Sequence, residues 1–565
     1  MFYRKILQEL EDWKNDEFRK PLVIRGARQV GKTTVVHEFS KQYKQYIYLN
    51  LEKEEYKQLF QTLSDIELLA QRIFFIEGKK WELLSETLLF IDEIQEVPTA
   101  INFLRYFYED LPQLHVITAG SMLETLLGKN ISFPVGRVEY KILRPVSFEE
   151  FLGAIDETLA LEELQKVPLK PYAYNRLLSL FHTYALLGGM PSVIQQYAKQ
   201  KDITSLKPIY ESLLNSYLED AEKYAKNESQ LQVIRTIINE SLFLAGKRVT
   251  FQSFGNKKFT SKEVSGILES LQKTHLLSLI YPTTFFEIPL LRDSKKSPRL
   301  QFLDTGLLNF GVGLQKEILG TKDLNSVYQG TMIEHLVGQE LIAHKSTPLE
   351  KLNFWVRDKN SSDAELDFVY PFEGKAVPIE VKSGNSGRLR SLLNFLDESR
   401  LNYAIRFFAG ELSLNEIKTP KGKTIHLLNL PYFLAGQTEK YIEWLINNLP
   451  KETNNQLVNE LRAEYKKEKK AEKIVTNIEE LTSRHVKLLK HCQNEPKKGK
   501  ALLEEALRLN YQSRNKRIFI KPLFDLELIE WTNKSNPKDK QQTYQLTEKG
   551  RFLLKQNHKR FQINE

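Results

Sequence analysis

Apolar positions along the chain fall into two regimes. In the first 145 residues they mark short strands: 22–25, opened by Pro21, then the wholly apolar run 88–91 within "TLLFIDEIQEVP", the start of "LHVITAGSM", and 138–143, with one more near 46. An apolar run such as 88–91 is the signature of a strand buried on both faces, hence of a parallel sheet covered by helices. From 146 to 225 Leu, Tyr and Glu recur at helical spacing, interrupted at Gly188-Gly189 and Pro191. Residues 226–320 open with two amphipathic helices. In the second, "TSKEVSGILESLQKTHLL", Thr260 or Ser261 is the N-cap and Val264, Ile267, Leu268 and Leu271 form the apolar stripe. The strands "LSLIYP" and "RLQFLD" come next. Residues 321–436 begin with the helix "TMIEHLVGQELIAHK" and the strand "KLNFWVRD", then reach "AELDFVYPFEGKAVPIEVKSG", two strands around the turn "YPFEGK". Residues 437–480 are a charge-dense helical linker containing "LRAEYKKEKKAEK". Residues 481–565 offer two helices, then "SRNKRIFIKPLFDLELIEWT" as a third helix running into a strand, and "TYQLTEKGRFLL" as a returning strand and helix.

At 565 residues the chain exceeds what one core can organise. The pattern reads as a multidomain α/β protein. A single cysteine, Cys492, excludes intramolecular disulfides and Cys-based zinc sites, and the ten histidines show no metal-ligand spacing. No apolar run approaches the roughly 20 residues that span a bilayer. The charged start "MFYRKILQELEDWKND" lacks the apolar core of a secretion signal. A cytoplasmic protein with no membrane partner is expected. The formal net charge of +9 is unevenly placed: residues 451–565 hold 26 Lys+Arg against 16 Asp+Glu, a net of +10, and the remaining 55 and 56 leave −1 for the first 450. Such an excess reads either as a polyanion-binding region or as a solubilising tail.

Candidate chemistry starts at the end of the first apolar run. Gly26-Ala27-Arg28-Gln29-Val30-Gly31-Lys32-Thr33, followed by Thr34, fits G-x-x-x-x-G-K-[ST] in full, between a strand and a helix. The glycines let backbone N–H groups turn onto phosphates at a helix N-terminus. Lys32 is expected on the β- and γ-phosphates of ATP and Thr33 on Mg²⁺. The run 88–91 ends in Asp92-Glu93, where Asp92 would join the Mg²⁺ shell and Glu93 would orient the attacking water. Ser121 and Thr118, near the end of "LHVITAGSM", are candidates for a γ-phosphate contact, or simply strand-end caps. Arg137 reads either as an arginine finger or as a solvated turn residue.

A second constellation lies in the hairpin. Strand alternation puts Glu380 and Lys382 on one face, and Asp363, Glu365 and Asp367 alternate likewise on the preceding strand. Asp367 and Glu380 are expected to share one divalent metal with Lys382 facing it, and Glu334, or alternatively Glu340, adds a third carboxylate. The bland alternative is a charged hairpin that resists edge-to-edge pairing.

"GARQVGKTT", "LLFIDEIQEVP", "GRVEYKILRPVSFEEFL", "LLGGMPSVIQQY" and "PIEVKSG", in this order, resemble a large group of bacterial and archaeal AAA-like P-loop ATPases. In that group a C-terminal domain of unknown function, similar to the PD-(D/E)xK nucleases, follows the ATPase. The resemblance covers residues 1 to about 436. It implies an ATPase core over 1–145, a helical lid over 146–225, a winged helix over 226–320 and a restriction-endonuclease-like domain over 321–436. The linker 437–480 leads to residues 481–565, which resemble a further winged-helix module. There Arg514, Lys516, Arg517 and Lys521, with Lys534, Lys538 and Lys540 in the wing, would contact nucleic acid, DNA before RNA. The expected function is a Mg-dependent, DNA-associated ATPase whose nucleotide state controls the nuclease-like domain. The alternative is a regulatory, scaffold or defence protein whose nuclease-like domain binds without cutting. A homo-oligomer is compatible with either.

Overall fold

In the computed structural model of the protein the five expected strands pair into one sheet. Strands β1 (Leu22–Arg25), β2 (Gln45–Asn50), β3 (Thr87–Asp92), β4 (His115–Ala119) and β5 (Glu139–Ile142) lie in the order β2-β3-β4-β1-β5, every pairing parallel. β3 and β4 are buried along their whole length, which is why their sequences show no alternation. The edge strand β2 does alternate. Ile47, Leu49, Leu89 and Ile91 pack with Leu104 and Phe107 of helix Ala100–Glu109, whose apolar face repeats at helical spacing.

The structure describes residues 2–62, 65–120, 134, 136–223, 225, 227–313, 330–347, 349–358, 364–382, 389–449, 481, 483–507, 509–512, 515–536, 539 and 542–556. The chain divides into two compact units, Met1–Val458 and Asn459–Glu565. Among the described residues, no helix is long and apolar enough to cross a membrane.

The rest of the first unit is mixed α/β. β6 (Leu277–Ile280) pairs antiparallel with β8 (Arg299–Phe302). β7 (Pro282–Thr283), β9 (Phe354–Val356) and β10 (Glu365–Leu366) form a small sheet in the order β10-β9-β7. β11 (Phe368–Phe372), β12 (Lys375–Lys382), β13 (Tyr403–Phe408), β14 (Ser413–Lys418) and β15 (Thr424–Pro431) form a second five-stranded sheet in the order β11-β12-β13-β15-β14. Glu373 and Gly374, both at positive φ (44° and 73°), close the β11–β12 hairpin. Two central residues at positive φ are what a two-residue hairpin turn requires. Helices Gly330–Ala343 and Arg390–Glu398 both pack against β12.

Hydrogen bonds tie the first sheet to the segment around residues 340–346. At the end of β5, Ile142 N–H donates to Ser346 O at 2.5 Å, and Arg144 Nε donates to Lys345 O at 2.9 Å. Buried Glu340 of helix Gly330–Ala343 accepts from Phe148 N–H at 3.2 Å and from Tyr184 Oη at 2.6 Å. These bonds place Glu340 away from the hairpin carboxylates, so it is not the alternative third ligand the sequence suggested.

In the second unit, helices Ser483–His491, Gly499–Leu507 and Lys521–Asp525 meet the antiparallel pair β16 (Ile529–Trp531) and β17 (Tyr544–Leu546). Leu488, Leu489, Leu502, Leu523, Ile529 and Leu546 form its core.

Candidate functional site

β1 and β3 end on the same edge of the parallel sheet, the edge at which open α/β sheets bind ligands. After β1 the backbone turns through Gly26 at φ 139°, Gln29 at 60° and Gly31 at 95° before helix Lys32–Phe39 begins. At Gly26 a side chain is excluded by space as well as by φ, because a Cβ would lie 2.2 Å from Leu143 O. The Lys32 ammonium is buried and donates to Gly26 O at 3.1 Å and Ala27 O at 2.9 Å. Burial pushes its pKa down to about 8, and Glu93 and Asp92 partly offset that.

After β3, Asp92 is buried and Thr33 Oγ1 donates to its Oδ2 at 2.7 Å. Tyr48 Oη reaches the same oxygen at 3.3 Å. Glu93 takes a left-handed φ of 51°, which turns it out of the strand direction. Burial raises its carboxyl above the ordinary range, opposed by a hydrogen bond from Gln95. Arg28, Lys32, Thr33 and Glu93 line one cavity of about 430 Å³, and Phe2, Pro191 and Gln195 also line it. Its size is that of a small-molecule site.

Contacts that the motif does not advertise hold the loop. Arg28 Nη1 pairs with Asp220 of helix Lys207–Glu222 at 2.5 Å, and Tyr217 Oη of that helix donates to Arg28 O at 2.6 Å. Buried Arg4 donates to Val30 O at 3.1 Å and to Arg144 O at 2.7 Å, and pairs with Glu150 at 3.1 Å. Sequence reading passes over these three residues. Arg4 lies 22 positions before Gly26, and Tyr217 and Asp220 sit in a distant, unremarkable helix.

Two further candidates sit elsewhere. Thr118 is buried, and its hydroxyl donates to Ile91 O at 2.8 Å, a bond between neighbouring strands. Arg137 precedes β5 at the end of the sheet where Pro21 precedes β1, opposite the phosphate loop. It is half-exposed and pairs with Glu109 at 2.9 Å. It therefore does not reach the cavity of its own chain. Ser121 lies outside the described residues.

The hairpin constellation comes together, but with a cation the sequence reading omitted. Asp367 breaks the strand between β10 and β11, and its Oδ2 accepts from Val381 N–H at 2.7 Å. Glu380 is buried and pairs with Lys382. Arg299 of β8, also buried, pairs with Glu365 at 2.5 Å, Glu334 at 3.5 Å and Asp367 at 3.8 Å, and donates to Asp367 O at 3.1 Å. Its guanidinium lies 4.9 Å from the Phe354 ring centre. Burial, and then the neighbouring Asp367 carboxylate, raises the pKa values of Glu334 and Glu380.

The metal expected on Asp367 and Glu380, with Glu334 as a third carboxylate, would meet a site that already holds two cations. Arg299 and Lys382 already supply positive charge to these carboxylates. Among the described residues, no group of three or more His, Cys, Asp or Glu is placed to hold a metal ion. Asp363 lies outside the described residues. In the second unit Lys516, Arg517 and Lys521 line a separate cavity, Lys534 pairs with Glu530 at 2.6 Å, and Arg514, Lys538 and Lys540 lie outside the described residues.

Comparison with known proteins agrees with the first of these sites. A family model described as an AAA domain matches residues 18–152. Two domains of unknown function match residues 178–317 (DUF8612) and 329–433 (DUF4143). Among solved structures, a Walker-type ATPase of Pyrococcus abyssi aligns over 55% of this chain and 96% of its own, at 15% identity and a TM-score of 0.37. A signal-transduction ATPase with a tetratricopeptide repeat sensor, from Pyrococcus horikoshii, aligns over 62% of this chain and 46% of its own, at 14% identity and a TM-score of 0.23. No curated protein matches the chain. Phosphate loop, parallel sheet and AAA match together identify residues 18–152 as a P-loop AAA-like ATPase domain.

Proposed function

We propose that the chain is a Mg-dependent ATPase associated with DNA, whose nucleotide state is passed to a nuclease-like region at 321–436. The observation that carries the ATPase half is the 2.7 Å contact between Thr33 Oγ1 and Asp92, with Thr33, Lys32 and Glu93 lining one cavity. A hydroxyl and a carboxylate so placed suit Mg²⁺, which when bound with ATP neutralises phosphate charge. The backbone N–H groups between Gly26 and Thr33 would bind the phosphates. Lys32 would exchange its two carbonyl partners for phosphate oxygens. Glu93 would orient a water against the γ-phosphate. Arg137, if it serves hydrolysis, would act on the site of a neighbouring copy.

Transmission to the C-terminal region rests on the bonds from Ile142 to Ser346 and from Phe148 to Glu340. Both start within a few residues of Leu143, against which Gly26 is packed. Between cleaving and binding, Arg299 favours binding: a buried guanidinium on Glu334, Glu365 and Asp367 leaves these carboxylates no need of a metal. The link to DNA rests on the +10 charge of residues 451–565. Steady-state ATP hydrolysis of wild type, Lys32→Ala and Glu93→Gln tests the ATPase half. Turnover in wild type and its loss in both variants is expected. Wild-type turnover in Glu93→Gln would contradict the assignment of the water-orienting residue.

A further inference from the structure

The second unit contains a cavity of about 460 Å³ whose walls differ in kind. One wall is aromatic. Trp531 and Tyr544 face each other across the β16–β17 pair, and Phe524 packs on Trp531 with ring centres 4.8 Å apart. The other wall carries Lys516, Arg517 and Lys521, all exposed. A local departure from α-helical geometry positions them. Residues Lys516–Ile520 form a single π turn, in which Lys521 N–H bonds to Lys516 O, and the chain then continues as helix Lys521–Asp525. The wider turn puts Lys516 and Lys521 at opposite ends of one i→i+5 bond, with Ile520 buried between them. Among the described residues none of these three cations has an ion-pair partner, and Asp525 is the one acid on the cavity wall.

We propose that this cavity receives one unstacked base of a single-stranded nucleic acid. The base lies against Trp531, and its flanking phosphates lie on Lys516, Arg517 and Lys521. An aromatic wall beside unpaired cations matches a ligand that is flat and apolar on its face and anionic on both sides, and a nucleotide within a strand has that form. In a duplex the base faces are covered by their neighbours and only edges are offered, so the cavity selects single strands. The inference rests on the reading that this unit contacts nucleic acid, and it adds the strand type and the residue that reads the base.

The experiment uses the full chain and fluorescence anisotropy. Three probes of equal length, about 15 nucleotides, are compared: oligothymidylate, a strand of abasic residues, and a duplex. Oligothymidylate is expected to bind about 5- to 100-fold more tightly than the abasic strand. Trp531→Ala removes that ratio, and Trp531→Phe, which keeps a ring on Phe524, retains most of it. Arg517→Gln with Lys521→Gln weakens both strands by the same factor. Equal affinity of wild type for the thymidylate and abasic strands, or a preference for duplex, overturns the base site and leaves the nucleic-acid reading standing. Failure to bind any of the three overturns that reading itself.

Discussion

At Glu93 the backbone sits at φ 51° and the carboxyl lines the same cavity as Lys32. Glu93→Gln keeps shape and hydrogen bonding while removing the negative charge. It should lower turnover by about 10²–10⁴-fold, the range for a positioned proton acceptor, with ATP affinity nearly unchanged. Steady-state kinetics with a nucleotide-binding titration checks both halves. Glu340 makes a different prediction, about pH. Burial raises its pKa from 4.5 to about 7. A carboxyl whose folded pKa lies above its unfolded value holds its proton more tightly when folded. Its contribution to stability is therefore complete below about pH 4.5 and lost as pH rises through about 7. The difference is about 3 kcal/mol, and Glu340→Gln should flatten that part of the profile. Urea unfolding of the two proteins between about pH 5 and 8 reads it. The phosphate-loop residues were legible in the sequence because their signal is local: eight consecutive positions between a strand and a helix. Arg299 was not. Its partners Glu334, Glu365 and Asp367 lie 35 to 68 residues away, and a single Arg in "RLQF" gives no hint of them.

Among the elements, helix Lys207–Glu222 is the one whose role no motif announced. It grips the phosphate loop through Asp220 and Tyr217. Asp220→Ala removes the partner of a guanidinium that is 42% exposed, so water takes over part of the interaction. The expected loss of stability is modest, about 1 kcal/mol, with a larger effect on the Michaelis constant for ATP as the loop loses its anchor. A stability loss with unaltered nucleotide kinetics would mean that the helix only packs. The strands were legible as elements because β3 and β4 are buried on both faces, so unbroken apolar runs survive in the sequence. Their order was not, since nothing local says that β4 lies between β1 and β3. The β11–β12 hairpin was legible down to its turn. What it faces was not, because β8 approaches from more than 60 residues upstream.

For the whole molecule, charge balance around Arg299 in the Met1–Val458 unit carries a prediction about metal binding. With Arg299 in place, added Mn²⁺ should leave the melting temperature of the wild-type protein unchanged, because stabilisation by mass action needs a site that binds the ion. Arg299→Ala strands three buried or half-buried carboxylates and should destabilise the protein by about 3–5 kcal/mol, measured by denaturant unfolding. Thermal unfolding with and without Mn²⁺ checks the first expectation, and a clear rise in wild type would restore the metal reading.

Transmission from the ATPase domain is the central claim, and hydrogen–deuterium exchange tests it most directly. Full-length Glu93→Gln, expected to bind nucleotide and turn it over slowly, is compared with Mg·ATP and with Mg·ADP. If the bonds from Ile142 to Ser346 and from Phe148 to Glu340 carry the signal, amide exchange differs between the two nucleotides in residues 330–346 and in β12 as well as around the phosphate loop. Differences confined to residues 18–152, with 330–346 and β12 unchanged, would contradict it.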